Sequence, residues 1–168
     1  MTGIRIPAPQ QRRIRRAAML AAGVLAVVLV AAVWLEEQVR TTTPPRLAAA
    51  TSTLVLDRND RLLRAFTVAD GRWRLPVTID RVDPLFLGML LAYEDKRFFA
   101  HPGVDVRAML RAAAQALRHG RIVSGGSTLT MQVVRLASGE PTRDPAGKWR
   151  QMLGALALER IEDKALIL

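Results

Sequence analysis

Ala17 to Leu35 reads AAMLAAGVLAVVLVAAVWL, 19 residues without a single charge. A helix of that length rises about 28 Å, close to the hydrocarbon thickness of a bilayer, about 30 Å. No other feature of the chain restricts its fold as strongly. Trp34 stands at the far edge of the run, where an indole suits the boundary between lipid and water. Arg12, Arg13, Arg15 and Arg16 stand at the near edge. Such a cluster is retained in the cytoplasm, so the chain after Leu35 is expected on the outer, periplasmic side of the inner membrane. A cleaved signal peptide is the competing reading, but its small-x-small site, Ala48 and Ala50, lies far beyond the apolar run. A nucleic-acid-binding arm is the other reading of the arginines, and it predicts no adjoining apolar span.

The remaining organisation follows from this span. Residues 1–16 form a basic cytoplasmic arm, 17–35 a transmembrane signal-anchor, 36–53 a stalk and 54–168 a folded domain. Half of the formal net charge of +10 sits on residues 1–35, which hold five arginines and no acid. Cysteine is absent, which excludes a disulfide scaffold, a thiolate metal site and a cysteine nucleophile. Aromatic residues make up only 5%, too few for a surface that stacks single-stranded nucleic acid.

In the stalk, Pro44-Pro45 and runs of Thr, Ala and Ser read as linker. Leu54 to Leu56 and Leu62 to Val68 flank Asn59-Asp60 and predict a short hairpin. Leu75 to Ile79 predicts a further extended piece. Asp83-Pro84 is a helix start, and Leu85 to Tyr93 is apolar almost all round, so a buried helix is expected. Asp105 can cap a second helix whose Val106, Met109, Leu110, Ala113 and Leu117 recur at helical spacing, with Gly120 as its stop. Ser127 or Thr128 can cap a third, through Leu136. A loop from Gly139 to Gly147 precedes a fourth helix from Lys148 to Ile161, with Met152, Ala155, Leu156 and Leu158 inward. The domain is expected to be mainly α with a small β element at its start. Leu166 to Leu168 form an exposed apolar terminus in this reading, which places the end of the sequence inside a domain.

Two clusters could carry chemistry. Glu94 and Asp95 end the apolar helix, where the negative end of the helix dipole and an apolar wall raise a carboxyl pKa and suit a general base. Taken alone, the pair reads more readily as a solvated acidic helix end. Phe98, Phe99, Arg97, His101 and Gly103 crowd into the same loop, as at a site carried on a scaffold. His101 could be a ligand, a proton carrier or a structural hydrogen-bonder. The second cluster, Gly125-Gly126-Ser127-Thr128, exposes backbone N–H groups at a helix start and suits a phosphate-like anion; a plain cap is the bland alternative. Arg135, Arg143, Lys148 and Arg150 follow it and form either a diphosphate site or a solvated basic face. Two distant histidines and no cysteine give no expectation of a protein-built metal site.

Glu94 to Gly103, EDKRFFAHPG, is similar to the E-D-x-x-F-x-x-H-x-G motif of glycosyltransferase family 51, the peptidoglycan glycosyltransferase domains of class A penicillin-binding proteins. Gly125 to Gln132, GGSTLTMQ, is similar to the second motif of that family, G-G-S-T-x-T-Q-Q. The two stand in the family's order behind a membrane span, and the likeness covers roughly Leu54 to Leu168.

The resemblance implies a lysozyme-like, mainly helical domain that polymerises lipid II into glycan strands and releases polyprenyl diphosphate with inversion. By position, Glu94 matches the general base and Asp95 its catalytic neighbour. Phe98 and His101 fall in the first motif and are expected to bind substrate. Ser127, Thr128, Gln132 and Arg135 match the second, near the donor sugar and diphosphate. Arg143 is similar to a cation that assists the leaving group, and Lys148 matches the Lys of a third motif, R-K-x-x-E. Met131 departs from the second motif, and Gly147 and Gln151 stand where the third has Arg and Glu. A neutral Gln supplies no second negative charge, although it can hydrogen-bond a substrate. No built-in cofactor is implied; a divalent Mg or Mn ion could bridge the diphosphate without a protein cage. The implied partners are lipid II, the growing strand, the membrane and other cell-wall synthesis proteins, with no nucleic acid. The family pattern continues past Leu168, so a C-terminally incomplete domain is expected, with the transpeptidase domain of those proteins outside the chain. Two other classes fit the same residues: a murein-cleaving enzyme of related fold with an acidic Glu, and an inert membrane-tethered fragment or scaffold.

Overall fold

The computed structural model describes residues 8–47, 50–121, 125–139 and 144–168. The chain divides into two units, Met1–Thr41 and Thr42–Leu168. Helix α1 (Ala8–Thr41) makes up the first, and its stretch Arg15–Thr41 is long and apolar enough to cross a membrane. It continues past Leu35 into residues expected to be stalk. Glu36, Glu37 and Gln38 are good helix formers, and the first helix breaker is Pro44. The Thr41 hydroxyl closes the last turn by donating to the carbonyls of Glu37 and Gln38.

The second unit opens with the expected hairpin. Strands β1 (Leu54–Leu56) and β2 (Leu62–Ala65) are antiparallel, with Leu54 opposite Ala65 and Val55 opposite Arg64. The Asp57 carboxylate fixes the turn by accepting from the backbone N–H of Asn59 at 2.7 Å and of Arg61 at 2.9 Å. Leu75 to Ile79 forms no strand. Instead the Ser52 N–H donates to the Arg74 carbonyl and the Arg74 N–H to the Ser52 hydroxyl, and a 3-10 turn follows at Ile79–Arg81.

Helix α2 (Pro84–Glu94) starts as the sequence predicts, with the Asp83 side chain accepting from the Leu85 N–H and Pro84 in the first turn. Its burial differs from expectation. No residue of α2 is buried, and Leu85, Phe86 and Met89 are 70%, 55% and 59% exposed. A helix apolar on every side has no phase to mark the inward face; here Leu91 alone packs against the core. Helix α3 (Val106–His119) begins at its Asp105 cap and ends at Gly120 in the left-handed conformation. Val106, Leu110 and Leu117, expected inward, face outward. The half-buried side is Ala108, Met109, Ala112, Gln115 and Ala116. Small residues there let Gly126 approach: a Cβ on it would lie 3.2 Å from Met109 Cα.

Helix α4 (Leu129–Ser138) is capped by Thr128. Helix α5 (Pro145–Leu158) begins three residues before the expected Lys148, because Asp144-Pro145 repeats the start signal of α2. The two pack face to face, close enough that a Cβ on Gly154 would lie 2.8 Å from Val134 Cγ1. Phe98, Val104, Leu129, Met131, Val134, Ala155, Leu158 and Ile167 form the core. The C-terminal turn α6 (Lys164–Ile167) inserts Ile167 into it, which corrects the expectation of a wholly exposed terminus; Leu166 alone of the three is exposed. Glu159 ties this end down, accepting from the Thr130 hydroxyl at 2.5 Å and from Lys164 Nζ at 2.7 Å. The Lys164 ammonium also stands 4.2 Å above the Phe98 ring. The second unit is therefore mainly α with one two-stranded sheet.

Candidate active site

The loop after α2 and the start of α4 are held together by buried polar groups. Asp95 is 6% exposed. Its carboxylate faces His101 Nε2 at 3.1 Å from both oxygens and accepts from the Leu129 N–H at 3.0 Å. That N–H belongs to the first turn of α4, where the helix dipole favours a carboxylate. The Thr128 hydroxyl donates to the Gly103 carbonyl at 2.5 Å and accepts from the Met131 N–H at 3.2 Å. Gly103 has φ +86 and lies against the backbone of α5. The two motifs are thus one unit, joined at backbone level.

This arrangement places three of the expected site residues. Phe98 is 1% exposed and belongs to the core rather than to a substrate surface. His101 is buried against Asp95, with Nδ1 unpartnered among the described residues. Asp95 is held by His101 and Leu129 and also lines the cavity that Glu94 opens into. Sequence neighbours Glu94 and Asp95 point different ways because the chain leaves α2 between them.

Glu94 is on the open side. Its Oε2 accepts from Gln132 Nε2 at 2.7 Å, across from α2 to α4. A cavity of about 500 Å³ is lined by Glu94, Asp95, Arg97, Asp105, Arg111 and the turn Gly125 to Thr128. On its other flank Glu94 borders an apolar hollow lined by Phe86, Met89, Leu90, Ala92 and Tyr93. The predicted apolar wall is therefore present, on an exposed helix rather than a buried one. The Asp105 carboxyl is held below the usual Asp range by the Ala108 N–H first of all; burial opposes this, and the Arg97 guanidinium 3.5 Å away assists it. Sequence reasoning passed over Arg111. The usable signal was the i, i+3, i+6 row Asp105, Ala108 and Arg111, one face of α3.

A second cavity, of about 330 Å³, is lined by Ser127, Gln132, Arg135, Lys148 and Gln151. Ser127 and Gln132 are common to the two surroundings: Ser127 lines both cavities and Gln132 bonds Glu94. Lys148 Nζ donates to Ser127 Oγ. Burial, and secondarily Arg135, push the Lys148 pKa below the usual lysine value. Both causes disfavour an unpaired ammonium, and an anion in the cavity would relieve both. Arg143 lies outside the described residues, so its expected role has no structural placement. Among the described residues no group of three or more His, Asp or Glu could hold a metal. The cavity beside Lys148 offers no carboxylate, so its side chains do not fit a protein-held divalent ion.

A family model described as Transglycosylase matches residues 59–168. The chain belongs to the transglycosylase family. It is 49% identical over 106 residues to penicillin-binding protein 1C of Escherichia coli, covering 63% of this chain and 14% of that protein. It is 41% identical over 87 residues to penicillin-binding protein 1A of Pseudomonas aeruginosa, covering 52% of this chain and 11% of that protein. Over 118 residues it is 31% identical to a biosynthetic peptidoglycan transglycosylase of Laribacter hongkongensis, covering 70% of this chain and 51% of that protein. The chain thus spans a small part of the penicillin-binding relatives and about half of the last.

Proposed function

We propose that this chain polymerises lipid II into glycan strands at the outer face of the cytoplasmic membrane, with Glu94 as general base. One observation carries the reading: the Glu94 carboxylate and the Gly125 to Thr128 turn line a single cavity, and Gln132 links that carboxylate to the cavity of Arg135 and Lys148. A sugar 4-hydroxyl of the acceptor gives its proton to Glu94. The oxygen then bonds to the anomeric carbon of the donor, and the bond from that carbon to the diphosphate oxygen breaks. Attack from the face opposite the leaving group inverts the centre. The electron pair leaves with the polyprenyl diphosphate, whose charge Arg135 and Lys148 take up. The hydrogen bond from Gln132 keeps the base oriented toward the turn that receives the sugar. Asp95 and His101 fix the distance between the base and α4. No step is assigned to a metal.

Helix α1 is read as the membrane span, with the arginines before it in the cytoplasm. A lipid-linked substrate needs an enzyme tethered to its own membrane. The test is incubation of the purified chain with lipid II and, separately, with finished murein. Polymer growth on the first supports the reading. Release of muropeptides from the second, without polymer, replaces it with a murein-cleaving activity.

A further inference from the structure

Tyr93 is the only tyrosine of the chain and stands one residue before Glu94, at the end of α2. It lies outside both motifs, and the reaction above gives it no part. Its side chain is 90% exposed and has no hydrogen-bond or ring partner among the described residues. Yet both hollows that Glu94 lines are also lined by Tyr93: the cavity of the Gly125 to Thr128 turn, and the apolar hollow of Phe86, Met89 and Leu90. In the first of these it is the one aromatic side chain among the described residues. Apart from Ala108, the other walls there are glycine, hydroxyl or charged. That mixture matches a sugar. A pyranose carries hydroxyls round its edge and C–H bonds on its faces. The hydroxyls suit the charged and hydroxyl-bearing walls. The C–H face needs an apolar surface, and the electron-rich face of an aromatic ring attracts polarised C–H groups. An isoprenoid chain has no use for the charged walls, and a diphosphate has none for the ring.

We propose that Tyr93 is the platform for the acceptor sugar, its ring lying against the C–H face of the pyranose whose 4-hydroxyl reaches Glu94. The inference rests on the transferase reading and adds a substrate-binding residue to it. Consecutive side chains on a helix diverge by about 100°, so the ring and the carboxylate can meet one sugar on two sides, face and edge. Contact with the sugar face is the same before and during bond formation, so it serves affinity and leaves kcat largely alone. The competing neighbour for the ring is lipid, since a tyrosine also suits the boundary between membrane and water.

The experiment uses the full chain in detergent, grown with ring-fluorinated tyrosine so that its single tyrosine gives a single fluorine resonance. Diacetylchitobiose, a soluble disaccharide of N-acetylglucosamine, and farnesyl diphosphate are titrated separately. KM and kcat for lipid II and the melting temperature are measured for wild type, Tyr93→Leu and Tyr93→Phe. The resonance is expected to shift with the disaccharide and to stay in place with farnesyl diphosphate. Tyr93→Leu is expected to raise the KM for lipid II about five- to tenfold with little change in kcat. Its melting temperature should stay within about 2 °C of wild type, because the ring is exposed. Tyr93→Phe keeps the ring and should recover most of the affinity that Leu, equally apolar, loses. A resonance that moves with farnesyl diphosphate and not with the disaccharide gives the ring to the isoprenoid and overturns the inference. A wild-type KM in Tyr93→Leu, beside a wild type that polymerises lipid II, overturns the inference and leaves the transferase reading standing. Wild type that makes no polymer from lipid II removes that reading and the inference with it.

Discussion

Gly103→Ala is the sharpest test of how the two motifs are joined. Gly103 has φ +86, and a Cβ built on it would lie 2.5 Å from the Ala155 carbonyl oxygen, 2.7 Å from its carbon and 3.0 Å from the Leu156 nitrogen. These atoms are the backbone of α5 and cannot swing aside. The left-handed backbone costs an L-residue about 1–2 kcal/mol. Forcing an extra carbon into a packed interior costs about 1–3 kcal/mol. Their sum, about 2–5 kcal/mol with a midpoint of about 3.5, corresponds to a melting temperature lower by about 10–17 °C in a domain of this size. The assay is thermal unfolding in detergent, followed by tryptophan fluorescence and by circular dichroism so that coincident transitions can be checked. Gly120→Ala is the control: φ is +66 there, but no atom lies within 4 Å of the added carbon. It should show the backbone cost alone, a drop of about 4–8 °C. A Gly103→Ala protein that melts within about 2 °C of wild type refutes the close approach of this loop to α5.

Asp95→Asn keeps the shape but opposes an amide N–H to His101 or to Leu129 N. It should cost about 1–3 kcal/mol of stability and reduce polymerisation more than it raises the apparent donor KM, both measurable on one preparation. Arg135→Ala removes one of the two causes that depress Lys148, so the Lys148 pKa should move back up while donor affinity falls about tenfold or more in a titration. The folded-state pKa of Asp105 lies below its ordinary 3.8, so its stabilising effect is complete above that value and is lost as pH falls through the lowered one. Asp105→Asn should therefore flatten the acid limb of a stability-against-pH profile, and an unaltered limb contradicts the assignment.

What the sequence shows clearly here is local. Asp83-Pro84, Asp105 and Gly120 mark helix ends through their own backbone chemistry, and the structure ends helices there. Asp144-Pro145 carries the same mark and was open to the same reading, which would have started α5 correctly. Phase was legible only where one face was apolar. In α2 every face is, and in α3 the outward residues Leu110 and Leu117 are as apolar as the inward Met109. Glu94 and Asp95 are chemically alike and adjacent; only the tertiary turn under α4 leaves one carboxylate open and buries the other. The long apolar helix, the two motifs and the pair Arg135 and Lys148 were legible because each rests on residue types at fixed spacing. The links among them are contacts 21 to 38 residues apart in sequence, which no local pattern encodes.

The most direct test is the rate of glycan polymer formation by Glu94→Gln. A glutamine oxygen can still accept from Gln132, so the link at 2.7 Å and the melting temperature should survive. The amide cannot take a proton at neutral pH, so the rate should fall by a factor of about 10² or more. A folded Glu94→Gln chain that polymerises lipid II at the wild-type rate contradicts the role given to this carboxylate.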